Sequence, residues 1–166
     1  AMSVFTTKDG LPTNGVFGFV KLLLKIIDDE KPKYLAVAFD LHAPTFRHKM
    51  YADYKGTRKP MPEELVVQVP VLKDLLRAMK VCIVEKEGYE ADDLIGTLSK
   101  RFGSVESLIY TGDRDSYQLI GDHVTVCFTK RGVSDLVRLT KDNFLEYEGI
   151  EPWQVVELKA LMGDSS

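Results

Sequence analysis

Apolar and polar residues alternate along this chain in two rhythms, and the switches between them mark its elements. "TNGVFGFVKLLLKIIDDE" places Val, Phe, Leu and Ile at helical spacing behind a Thr13/Asn14 cap, so a helix is predicted there. "YLAVAFD" is instead a continuous apolar run closing on Asp40, the pattern of a strand covered on both faces. "MPEELVVQVPVLKDLLRAM" returns to helical spacing, with Pro62 suited to the first turn and Pro70 expected to kink or interrupt the helix. "KVCIVE" predicts a short strand and a helix starts near Glu90. "SLIYTGD" is a second buried strand ending in an acid, followed by a short helix from Ser116. "HVTVCFT" and "LVRLT" are β-rich with "RGVS" as a turn between them, and helices near Asp142–Glu148 and Pro152–Met162 complete the order. Strands alternating with helices predict an α/β domain with a mainly parallel sheet between helical layers.

Composition narrows this without changing it. The 166 residues, 45% hydrophobic and 28% charged, suit one ordinary globular domain. No apolar run reaches the ~20 residues of a membrane-spanning helix, and the start lacks a basic stretch followed by an apolar core. Cys82 and Cys127 lie in apolar, strand-like surroundings, which reads as buried free thiols and a cytoplasmic location. The net charge of −3 conceals a segregation. Leu41 to Pro60 holds Arg47, Lys49, Lys55, Arg58 and Lys59 against Asp53 alone, giving +4 and leaving −7 for the rest. A basic segment on an acidic body fits a polyanionic partner, and it equally fits a solvated basic loop.

The acids raise the sharper question. Parallel strands joined by crossover helices present their carboxyl ends along one edge, where ligands of such sheets bind. Asp40 ends one predicted strand, and Asp113 and Asp115 follow another. Glu90, Asp92 and Asp93 lie where the chain leaves "KVCIVE" for a helix, and Asp164 follows the last helix. Each has a plain reading: acids at a helix start are favoured by its dipole, and "GDRDS" could be a turn with a cap. Their convergence from separate segments supports a cation site, because gathered carboxylates raise one another's pKa unless something balances them. The set is all oxygen, with His42, His48 and His123 scattered, which suits Mg²⁺ or Mn²⁺. More than four carboxylates fit two ions, and a pair ~4 Å apart suits in-line attack on a phosphodiester.

"AVAFD", "PTFRH", "YADYKGTRKPMPEEL", "EGYEADDLIGTL", "TGDRDSYQLI" and "LKALMGD" together resemble the 5′-nuclease domains of bacterial DNA polymerase I, phage 5′-exonucleases and flap endonucleases. The resemblance runs in order over nearly the whole chain. It implies a PIN-like (resolvase-like) three-layer domain with a helical arch segment at about 41–64. It also implies two divalent metal ions and cutting of 5′ ends and 5′ flaps of DNA, and of RNA primers in RNA–DNA hybrids. By motif match, Asp40, Glu90, Asp92 and Asp113 belong to the first metal site or its surroundings. Asp113, Asp115 and Asp164 serve the second, and Asp93 supports the cluster. Arg47, Lys55 and Arg58 match basic positions that hold the scissile phosphate, Lys59 adds to the nucleic-acid-binding run, and Tyr54 is placed to stack on a base or to form plain arch core with Tyr51.

The family begins with a strand carrying an Asp-Gly-Asn signature and ends with a glycine-rich duplex-binding motif of helix-turn-helix type. This chain starts after the first and stops before the second. The expectation is therefore that the 166 residues alone cut weakly or not at all, within a parent that joins them to a polymerase domain and works beside the bacterial nucleoid. A nucleic-acid-binding module with an incomplete active site is the main alternative. The long basic segment argues against an RNA-cleaving PIN domain, and no phosphate-cradling glycine loop supports a small-molecule phosphatase.

Overall fold

The computed structural model describes residues 5–56, 59–130 and 135–163. Two compact units follow one another, Ala1–Tyr89 and Glu90–Ser166.

In the first unit, α1 (Asn14–Glu30) begins after Thr13 and ends where Lys31 turns left-handed. Strand β1 (Ala36–Ala38) pairs in parallel with β2 (Cys82–Val84), Val37 standing opposite Ile83. Between them lie α2 (Phe46–Met50), α3 (Glu63–Val66) and α4 (Gln68–Ala78). Leu23 of α1 and Leu72 and Leu76 of α4 form the buried centre, with Val37 and Ile83 packed against it. The break expected at Pro70 comes earlier, at Val67. Restarting the helix at Gln68 puts Pro70 in a first turn, where its missing N–H costs nothing. Cys82 is exposed, not buried. It is the first residue of a three-residue strand, and its register partner Ala36 is exposed as well.

Gln68 holds this unit together at one point. It is 3% exposed, and its Oε1 accepts from the amides of Gly15 (2.8 Å) and Val16 (3.1 Å) in the first turn of α1. Its Nε2 donates to the Glu64 carbonyl at 2.7 Å and to Asn14 Oδ1 at 3.3 Å. Thr13 makes no side-chain cap, so a glutamine from another helix closes the start of α1.

In the second unit, α5 (Ala91–Arg101) leads to β3 (Ser107–Thr111), which pairs in parallel with β4 (Val124–Thr129). β5 (Leu136–Leu139) returns antiparallel to β4, with Lys130 N donating to the Asp135 carbonyl at 2.9 Å beside the hairpin end. The turn predicted at "RGVS" lies outside the described residues. A 3-10 helix spans Arg114–Leu119, two residues ahead of the Ser116 start read from sequence, because Asp113 caps it. Helix α6 (Lys141–Glu148), a 3-10 turn at Pro152–Gln154 and α7 (Val155–Met162) follow. The core joins Ile109, Val126, Phe128, Leu139 and Phe144 around Tyr117. The Tyr117 ring meets Phe128 and Phe144 edge-on, with centroids 5.4 and 5.2 Å away. Burial, and then the neighbouring Tyr147, push the Tyr117 phenol well above its ordinary value.

Gln68→Leu leaves two part-buried helix-start amides without their acceptor and is expected to cost about 2 kcal/mol, read from urea unfolding. For Tyr117 the folded-state pKa is raised, so its stabilising share is present at neutral pH and is lost as pH climbs above about 10, where the unfolded phenol ionises. Tyr117→Phe is expected to flatten that alkaline fall in melting temperature.

Candidate functional site

The acids read from the sequence sit at element starts and ends, as predicted, and most are held by specific partners. Glu90 is the N-cap of α5, extended at φ −92° and ψ 161°. Its side chain accepts from the Asp93 amide, and Asp93 Oδ2 accepts from the Glu90 amide at 2.9 Å. This is a reciprocal capping box, and Glu90 is only 9% exposed. Asp92, in the same turn, is exposed. The positive end of α5 lies under all three carboxylates and lowers the cost of their proximity.

Asp113 leaves β3 with its amide donating to Thr111 Oγ1 at 2.9 Å, and its Oδ1 accepts from the Asp115 amide at 2.9 Å. Asp115 in turn is ion-paired with Lys159 of α7, both side chains about two-fifths exposed. Arg114 reaches Glu148 at 3.4 Å. Lys159 went unnoticed in the sequence, since nothing local to "LKALM" marks it as the neighbour of an acid so far away in the chain.

Among the described residues, no three His, Cys, Asp or Glu side chains gather as a metal ion would require. The donor chemistry, carboxylate oxygen throughout, fits a hard divalent cation. The side-chain arrangement has the acids serving as helix caps and an ion-pair partner. Asp164 lies outside the described residues.

In the first unit, Phe39 N donates to the Val84 carbonyl at 3.0 Å, which carries the β1–β2 pairing one residue further and leaves Asp40 exposed just past the strand's carboxyl end. The basic segment is more ordered than a plain loop. Thr45 caps α2 reciprocally with His48, whose Nδ1 lies 3.1 Å from the Thr45 amide and 2.9 Å from its hydroxyl. Tyr54 packs edge-on against His48 at 5.2 Å, and the Lys55 ammonium stands 5.3 Å from the Tyr54 ring centre. Lys55 itself is left-handed, φ +56°, an uncommon conformation for a residue with a Cβ. Tyr51 is 63% exposed and forms no core. Lys59 is exposed, Arg47 half-buried, and Arg58 lies outside the described residues.

The family of 5′-3′ exonuclease N-terminal, resolvase-like domains matches residues 1–149. The chain belongs to this family. DNA polymerase I of Bacillus caldotenax is 44% identical over the whole chain, which spans 19% of that protein's length. The chain thus covers about a fifth of the curated relatives it matches. Among solved structures, T5 5′-exonuclease bound to zinc superposes with a TM-score of 0.72 at 22% identity, over 90% of this chain and 58% of that one. The bacteriophage T5 flap endonuclease in complex with DNA and metal ions gives 0.71 at 21% identity, again over 90% of this chain and 58% of that one. The resolvase-like α/β fold read from the sequence is therefore the fold of this family member.

Glu90→Ala removes the cap of α5 and is expected to lower stability by about 1 kcal/mol in metal-free buffer. A gain in urea midpoint would show instead that repulsion among the acids outweighs the cap.

Proposed function

We propose that the chain is the catalytic part of a metal-dependent 5′-3′ exonuclease and flap endonuclease acting on DNA in replication and repair. The observation that carries this is the family match over residues 1–149, a span holding the basic segment, the Glu90–Asp93 acids and the Asp113–Asp115 acids. Substrates are 5′ ends and 5′ flaps, and RNA primers on DNA. The parent joins the domain to a polymerase, in keeping with relatives named DNA polymerase I, and works in the bacterial cytoplasm beside the nucleoid.

Two divalent ions, Mg²⁺ or Mn²⁺, are the cofactors this reading calls for. Glu90, Asp92, Asp93, Asp113 and Asp115 are the side chains that would hold them, with Asp40 and Asp164 added by motif. Bound there, such ions supply an activated water and a stabilised leaving oxygen. The chain's own cations do the rest. Lys55, Arg47 and Arg58 bear on the phosphate being cut, where a charge-assisted hydrogen bond is worth most. Lys59 holds the strand by its backbone, and Tyr54 offers a ring face to a base. The half-exposed Lys55, kept beside the Tyr54 ring, supports this pairing of roles.

A binding module without catalysis is the rival reading, favoured by the Asp115–Lys159 ion pair, which neutralises one expected ligand. Melting curves with and without Mn²⁺ separate the two, because a working site is stabilised by its ion. In the complete parent, on a labelled 5′ flap with Mg²⁺, Asp113→Ala is expected to abolish cleavage while DNA affinity holds, and Lys55→Ala to slow it. Normal turnover by Asp113→Ala would sink the metal assignment. The same assay on the 166-residue chain measures whether it cuts weakly by itself.

A further inference from the structure

Phe46, at the start of α2, and Tyr89, just before α5, face each other with ring centroids 5.8 Å apart and planes at 54°. They come from well-separated parts of the first unit, joined where the Phe46 amide donates to the Gly88 carbonyl at 2.9 Å. Gly88 sits at φ +82°, a conformation that a glycine takes without strain, and it turns Tyr89 toward Phe46. A pair serving only as core would be buried, yet the two residues are 38% and 43% exposed. Each ring also carries a cation. The Arg47 guanidinium carbon lies 4.5 Å from the Phe46 centroid, and the Lys86 ammonium lies 4.9 Å from that of Tyr89.

We propose that Phe46 and Tyr89, flanked by Arg47 and Lys86, form a stacking platform for the bases of an unpaired DNA strand. The choice of DNA rests on the nuclease reading above. Charge supports it through the Leu41–Pro60 segment bearing Phe46, which carries +4; beside Tyr89, Lys86 is matched in charge by the exposed Glu87, and Glu85 is engaged by Lys73. An acidic peptide would answer the charge and leave the ring faces unused. A single strand answers both, since every base has a flat face and every link a phosphate. Phe46, Lys86 and Tyr89 thereby extend the strand's path beyond Tyr54 and Lys55. The pair's tethering of α2 to the 86–89 loop requires neither the exposure nor the cations.

The test is fluorescence anisotropy of a short labelled oligothymidylate in EDTA, so that nothing is cut. Tyr89→Leu and Phe46→Leu are each expected to weaken binding about tenfold, and Tyr89→Phe to bind like the original. Leucine variants that melt normally and bind the oligonucleotide unchanged would overturn the platform, as would a preference for oligouridylate over oligothymidylate. If the leucine variants fail to fold, Lys86→Gln keeps both rings. It is expected to reduce the salt slope of binding by about one, and an unchanged slope would overturn the proposal. A parallel flap-cleavage assay keeps the two readings apart. Loss of oligothymidylate binding by the leucine variants would uphold the platform whether or not the chain cuts by itself, and absence of cleavage by the complete parent would sink the nuclease alone. Cleavage with unaltered binding by the leucine variants would overturn the platform and leave the nuclease standing.

Discussion

Backbone amides left open at the starts of helices are the constraint on which this structure turns. Each must find an acceptor, and side chains supply it again and again. Glu90 and Asp93 close α5, Asp113 closes the 3-10 helix after β3, and Thr45 with His48 closes α2. Thr140 with Asn143 closes α6. At α5 and the 3-10 helix the acceptors are carboxylates, so a requirement of folding concentrates negative charge at the carboxyl ends of strands. Like charges sit close there because amide dipoles oppose their repulsion. Lys159 does the same for Asp115.

The element order was legible because it rests on local rhythm: helical spacing in α1 and α4, an apolar run at β1, and β-rich stretches at β4 and β5. What escaped was decided by partners distant in the chain or by the position of one residue within a turn. Pro70 was correctly read as disruptive, but a helix can restart two residues earlier and absorb it. Cys82 looked buried in its apolar run, although it opens a three-residue strand whose first position is exposed. Helix α2 was hidden in a segment whose basic character dominated the reading, and its cap depends on a histidine in the place more often held by Glu or Gln.

Where the acids fall along the elements was legible in the sequence, and which groups they pair with was not. Spacing along the chain locates Glu90, Asp113 and Asp115 at element boundaries, yet it carries no trace of Lys159 or of the Phe46–Tyr89 pair. The plain and functional readings of the acids are also compatible. A carboxylate has two oxygens, and the cap at Asp113 uses one, Oδ1, to receive the Asp115 amide. A side chain can therefore shape its own turn and still present oxygen outward. Asp115 differs, since an internal ammonium already answers its charge.

Gln68 has a consequence of another kind. By accepting from the Gly15 and Val16 amides it occupies the end of α1 that would otherwise cradle an oxyanion through fixed dipoles. A polyanion meeting this half of the molecule would be left to long-armed ammonium and guanidinium groups. Such groups conform to many backbone paths and release small counterions on contact, so a grip of this kind would be adjustable in shape and sensitive to ionic surroundings.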